Sequence, residues 1–314
     1  MLRYLVRRLI VFALTLLGVA VVVAALLRLV PGDPAVVFLG ENATPENVAE
    51  LQRSLGLDLP WPRQLARYVS GLARGDLGQS LFQHEPVSKL IAERLPATLE
   101  LAFAALLFGV AVGGVLGVIS ALKRGSPADL AVMVFAQIGV SVPVFWLGIL
   151  LSAIFAVRWN LFPAVGRGSL AHLFLPALTL GLGLAAVASR LVRAALLDTL
   201  HEAYVRSARA RGLSDAKVIG HALVNALLPV VSVLGVRFGT LLGGSVLTES
   251  VFGWPGLGTL AVTAISQRDF PLVQGIVLVF ALLFLALHLA VDLAYGVLDP
   301  RIRIEAGGGP SEGD

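Results

Sequence analysis

Six stretches of the chain are apolar over a length that crosses a bilayer: residues 9–27, 101–122, 130–157, 168–189, 222–248 and 271–291. A hydrocarbon core about 30 Å thick takes about 20 helical residues. Backbone groups in lipid must be satisfied within a segment, so runs of this length predict helices, and the short alternating runs of a transmembrane barrel are absent. Only Arg237 interrupts the fifth run. The first run follows Arg7 and Arg8 and so imitates a secretory signal. It exceeds the 7–15 or so apolar residues of such a signal and is read as an uncleaved span. The expected fold is an all-α polytopic membrane protein with six transmembrane helices and both termini on one side.

The polar flanks orient these spans. Arg3, Arg7 and Arg8 precede the first, Lys123 and Arg124 follow the second, and Arg301 and Arg303 follow the sixth. The loop after the fourth span carries Arg190, Arg193, Arg206, Arg209, Arg211 and Lys217, against only Arg158, Arg167 and Arg268 in the short loops opposite. The excess of basic residues inside places both termini and the arginine-rich loop in the cytoplasm. The organisation is then residues 1–30 with the first span, an external helical insert over 31–96, a core over 97–298 with five spans, and a cytoplasmic tail over 299–314. Within the core, 198–225 is a cytoplasmic loop and 249–271 an external one.

The insert has helical signals of its own. Thr44-Pro45 followed by Glu46 reads as a helix start and Gly56 as its stop, and Leu65, Tyr68, Val69 and Leu72 recur at helical spacing. A third amphipathic stretch, Val87, Leu90, Ile91 and Leu95, leads to the second span. Such helices suit the membrane surface, a docking platform for an external partner, or both.

Composition sharpens the picture. The chain is 57% hydrophobic and 14% charged with a mean hydropathy of +0.87, where soluble domains carry about 25% charged residues. The net charge of +4 and pI near 9.8 do not point to nucleic acid, because the arginines lie at the ends of apolar runs. Cysteine is absent, which excludes disulfides and thiolate chemistry. None of the three lysines, Lys89, Lys123 and Lys217, follows a glycine, so no Gly-Lys-Ser/Thr phosphate loop exists and any ATP is hydrolysed by another chain. There is no zinc helix of the His-Glu-x-x-His type and no Gly-x-Ser-x-Gly turn, which argues against an intramembrane hydrolase. An ion-coupled transporter working alone would want inverted repeats and interrupted helices, neither of which stands out.

Inside the spans, Gly109, Gly113 and Gly117 recur every fourth residue, as do Gly235, Gly239 and Gly243. Such stripes let helices pack closely, or present a smooth wall to a pathway. Pro143 predicts a bend in the third span, of a kind that suits a gate. Arg237 lies about 200° around its helix from the second stripe, at 100° per residue. It faces a wet cavity or pairs with an acid, and Asp292 is the candidate. Residues 202–213 are too polar to span; as a helix they bring Tyr204, Val205 and Ala208 to one side, pair Glu202 with Arg206 and stop at Gly212. That stretch is either a solvated loop or a short helix that inserts into a groove on a soluble partner.

Here the sequence becomes specific. Tyr204-Val205-Arg206 with Ala208-Arg209-Ala210-Arg211-Gly212-Leu213, then His221-Ala222-Leu223 and Asn225-Ala226-Leu227-Leu228-Pro229, resembles the coupling loop of dipeptide and oligopeptide ABC permeases. Arg94-Leu95-Pro96-Ala97-Thr98-Leu99-Glu100-Leu101, Gly75-Asp76-Leu77-Gly78, Pro143 with Phe145-Trp146-Leu147-Gly148, Phe252 with Trp254-Pro255-Gly256-Leu257-Gly258, and Asp299-Pro300-Arg301 resemble the B-type subunit of that family. The likeness covers nearly the whole chain. Two departures stand out: Arg206-Ser207-Ala208 replaces the Glu-Ala-Ala of the wider importer pattern, as in the peptide branch, and Arg237 stands where an uncharged residue is usual.

The resemblance implies a type I ABC importer permease, not an enzyme, with no cofactor or metal of its own and with ATP and Mg on partner ATPases. Its partners would be a second, similar permease, two cytoplasmic ATPases and an external substrate-binding protein. The implied substrate is a short peptide, with nickel chelates, glutathione or another small solute as alternatives. Glu202, Tyr204, Val205, Arg206, Ala208, Arg209, Gly212 and Leu213 would couple to the ATPases. Trp254, Pro255 and Gly256 would form a re-entrant segment at the external mouth, with Pro143 and Arg237 also on the pathway. The alternative for Trp254-Pro255-Gly256 is a turn at headgroup level.

Overall fold

The computed structural model describes residues 2–29 and 33–298, with side chains for all of these except 2–5, 26–29, 34, 228, 232, 292 and 294–298. Among the described residues the regular structure is helical apart from an isolated bridge between Gln79 and Pro86. Four helices are long and apolar enough to cross a membrane: α1 (Leu2–Leu29), α5 (Val87–Leu122), α8 (Leu170–Leu200) and α12 (Phe270–Leu298). Two bent pairs raise the number to six if each is one span. Between these lie the shorter α2 (Pro34–Leu39), α3 (Pro45–Leu55), α4 (Trp61–Ala73), α9 (Ala203–Ala210) and α11 (Leu257–Ser266).

The first bent pair is α6 (Pro127–Ser141) and α7 (Val144–Leu151), which continues into the wider turn Ser152–Arg158; the two arms meet at 106°. The expected bend at Pro143 is thus a break. Pro143 has no N–H to continue the ladder and drives Val142 to ψ 126, out of the helical region. The second pair lies within α10 (Asp215–Val251), bent by 43° just after Pro229.

The chain divides into two compact units. The first comprises Met1–Pro96 with Gly256–Asp314, described here where its residues are placed. In it α1 packs on α12, where the Gln274 side-chain amide donates to the carbonyl of Val23 at 3.0 Å. Helix α3 has the predicted ends: Thr44 Oγ1 accepts from Asn47 N at 3.3 Å, Pro45 opens the first turn, and Gly56 closes the last at φ 70. On α4 the stripe Leu65, Tyr68, Val69 and Leu72 is half-buried, and the helix contacts α1. Burial without a partner pushes the Tyr68 hydroxyl up to about 12.

The stretch Val87–Leu95 is not a separate surface helix. It forms the opening turns of α5, and Val87, Leu90 and Ile91 are buried with Leu257, Leu260, Leu272 and Ile276. Pro96 is tolerated inside that helix. Buried Asp269 precedes α12 and accepts from Leu272 N at 3.3 Å. It also accepts from Ser80 Oγ at 2.5 Å and from the amides of Leu81 and Phe82 at 3.2 and 3.3 Å, which ties the loop before α5 to this corner.

The second unit, Ala97–Pro255, is built around α8, which packs against α6, α7 and α10. Its core holds Leu101, Ala105, Leu180, Leu184, Val192 and Leu234. A β-carbon placed on Gly109 would lie 2.7 Å from Leu184 Cδ2, on Gly113 2.6 Å from Ala185 O, and on Gly117 2.7 Å from Ser189 O. Helices α5 and α8 therefore touch backbone to backbone along this stripe. The second stripe behaves differently. Gly239 is buried, whereas a β-carbon on Gly243 meets nothing within 4 Å among the described residues.

Candidate functional site

Helix α9 is short because its sequence marks both ends. Glu202 sits before it in extended conformation with ψ 151. Gly212 at φ 80 lets its own N–H reach Arg209 O at 2.9 Å and the N–H of Leu213 reach Ala208 O at 3.3 Å. That left-handed closure suits glycine and satisfies the last carbonyls. The expected Glu202–Arg206 ion pair does not form, because the extended backbone of Glu202 takes its side chain off the helix face.

The residues expected to couple divide into two groups. Val205 is fully buried with Leu196, Val218, Ala222 and Ala226, and Ala208 and Leu213 pack partly against the same cluster. These three anchor the helix to its own chain. Glu202, Tyr204, Arg206, Arg209 and Gly212 are exposed, with Arg211 beside them. Tyr204 is steadied by a 2.9 Å hydrogen bond from Asn225 Nδ2 to its hydroxyl, and Arg209 Nε lies 3.8 Å from Asp215. A short helix held by three apolar side chains and presenting a tyrosine and several arginines can dock on an acidic or aromatic groove.

The expected pathway residues also part company. Pro143 stands at the break between α6 and α7. Trp254 is fully buried, its indole N–H donating to the carbonyl of Ala97 at 2.8 Å. The Arg167 guanidinium lies 5.8 Å from the ring centre and pairs with Glu100, Nε to Oε2 at 2.9 Å. Trp254 is thus packed inside its own chain, between the Ala97 carbonyl and the Arg167 guanidinium. Gly253 at φ 53 makes the turn that buries it. Pro255 is half-buried, and Gly256 precedes α11 in extended conformation.

One acid in this region escaped the sequence reading, which named Asp292 alone in the later spans. Glu249 is fully buried within α10 and accepts from Thr98 Oγ1 at 2.8 Å. It was hidden because the apolar run ends one residue before it, while the helix continues to Val251. The side chain of Asp292 lies outside the described residues, as does the tail 299–314.

Arg190 and Arg193, read as loop residues, belong to α8. Arg193 meets the carboxylate of Asp129 two-pronged, Nε to Oδ1 at 2.7 Å and Nη2 to Oδ2 at 2.9 Å. Asp129 also accepts from Ser120 Oγ at 2.5 Å and Gly125 N at 2.9 Å. This cluster fastens the turn between α5 and α6 to α8. Next to it, Arg190, Arg193 and Arg237 open onto one cavity of about 490 Å³ whose other walls include Met133, Val140 and Val187. A second hollow, between α6, α7 and α8, is lined by apolar side chains and glycine.

Fold and site define the class: a polytopic helical membrane protein that carries a short anchored helix with a polar outer face. Residues 113–304 match the family described as binding-protein-dependent transport system inner membrane component, and residues 1–102 match its N-terminal membrane component. The chain belongs to this family. It is an inner-membrane, multi-pass permease subunit of an ABC importer and not an enzyme, and the family works with ATPase and binding-protein partners. It is 41% identical over 336 residues to the dipeptide transport system permease protein DppB of Escherichia coli K12, covering 96% of this chain and 99% of the relative. It is 42% identical over 304 residues to the glutathione transport system permease protein GsiC of Salmonella paratyphi A, with the same coverage. Among solved structures, the inward-facing MetNI methionine ABC transporter superposes with a TM-score of 0.58 at 21% identity, covering 67% of this chain and 96% of that one. That likeness shows the fold alone.

Proposed function

We propose that this chain forms half of the pathway of an ATP-driven importer for short peptides, beside a second, related permease. Two cytoplasmic ATPases bind and hydrolyse ATP with Mg, and an external binding protein delivers the substrate. Both termini and α9 face the cytoplasm. The observation that carries the reading is α9 itself: Val205 roots it in the chain while Tyr204, Arg206 and Arg209 stay exposed on its outer face, where a partner can reach them. Closure of the ATPases moves this helix, and the bundle rocks between inward and outward openings. Support for a peptide substrate comes from the dipeptide and glutathione permeases, which align over almost their full length.

The test is Ala210→Trp, a bulky side chain on an exposed position of α9 that leaves Val205, Ala208 and Leu213 untouched. ATPase should still be made and the permease still inserted, while ATP-driven peptide uptake falls by roughly tenfold or more, the scale of about 1.4 kcal/mol or more of lost coupling. Undiminished uptake with the ATPase bound removes the coupling role of α9.

A further inference from the structure

We propose that the cavity between α6, α8 and α10 is an anion subsite in which Arg190 and Arg237 grip the terminal carboxylate of the transported peptide; this rests on the peptide-importer reading above. Three guanidinium groups open onto the cavity, from α8 and α10. Arg193 is already committed, because Asp129 takes two of its nitrogens. Arg190 and Arg237 have no acidic partner among the described residues, and both side chains are exposed.

Two positive charges without an acidic partner among the described residues share one hollow. Charged side chains within spanning helices are costly and mark solute pathways when they face a water-filled space. The other walls, Met133, Val140, Val187 and Leu191, are apolar, so the dielectric is lower than in bulk water and the field of the arginines is less screened. A guanidinium offers two parallel donors that match a carboxylate, and two of them on different helices can hold one carboxylate from both sides. The volume of about 490 Å³ falls within the roughly 300–1,000 Å³ of small-molecule sites. The apolar walls then accept the side chains of a peptide without selecting among them. The wholly uncharged hollow between α6, α7 and α8 has no such chemistry.

The assembled transporter in proteoliposomes decides the matter. Uptake of a labelled dipeptide is compared with uptake of the same dipeptide as its C-terminal amide, for the native chain, Arg190→Gln, Arg237→Gln and Arg237→Lys. The binding protein is the same throughout, so its own preference cancels when variants are compared with the native chain. Each Gln variant should lower uptake of the free acid by roughly tenfold, the scale of one hydrogen bond to a charged group, and leave the amide within about twofold. Arg237→Lys, which keeps the charge and loses the fork, should fall between. An equal loss for acid and amide, or no loss for either, overturns the assignment. So does a loss seen only in vesicles containing anionic lipid and absent in pure phosphatidylcholine, which would make the cavity a site for a lipid phosphate. A native chain that imports neither form overturns the peptide reading and the subsite with it.

Discussion

At Gly113 a single hydrogen decides how close two helices come. A β-carbon there would lie 2.6 Å from the carbonyl oxygen of Ala185, a backbone atom that cannot turn aside. Gly113→Ala should therefore lower stability by about 1–3 kcal/mol, as overpacking does. The neighbouring Gly114 has nothing within 4 Å, so Gly114→Ala should raise stability by about 0.5–1 kcal/mol through helix propensity alone. Thermal unfolding of the two variants in the same detergent checks both, and opposite shifts in Tm are the expected result. The two glycine stripes look alike in the sequence, because spacing reports which face of a helix is smooth. It does not report what meets that face: for Gly113 it is α8, for Gly243 nothing within 4 Å among the described residues. Trp254 carries the same lesson. A tryptophan between loop residues reads as part of a re-entrant segment or as a headgroup-level turn, and neither reading points to the burial against Ala97 and Arg167.

Elements were legible where a local cause fixes them. Thr44 and Gly56 bound α3, Gly212 closes α9, and four of the six apolar runs hold a helix long enough to span while the other two hold the bent pairs. What stayed hidden depends on partners distant in sequence. Apolarity alone does not separate a bent helix from two helices meeting at 106°, and the run 130–157 showed only a proline. Helix α11 was missed inside a supposed loop; its 10 residues span about 15 Å at 1.5 Å each, too short to cross. The corner at Asp269 was invisible for the same reason, since its partner Ser80 is 189 positions away. Asp269→Asn leaves one oxygen to serve the amides of Leu81 and Phe82 and weakens the bond from Ser80. Hydrogen exchange at Leu81 and Phe82 should accelerate roughly tenfold or more, the scale of about 1–3 kcal/mol for a buried polar group losing its partner. Unchanged exchange would show that the loop is held by other contacts.

For the molecule as a whole, the proposed orientation can be read directly, because the chain has no cysteine of its own. A cysteine at exposed Arg206 should react with an impermeant thiol reagent only after the membrane is opened, whereas one at Arg63 on α4 should react in cells whose inner membrane is intact. Labelling of position 206 from outside would reverse the topology. The first compact unit draws on both ends of the chain, and α1 finds its neighbour in α12, as the Gln274 to Val23 bond across 251 positions marks. Helix α1 is translated well before α12, so the segment between them is made before α1 meets that neighbour. The second unit, by contrast, is one continuous segment and can assemble while synthesis is still under way. A ribosome that stalls before α12 would leave α1 with α4 but without its larger helical neighbour, an unpaired apolar face that gives quality control a signal that translation was not completed.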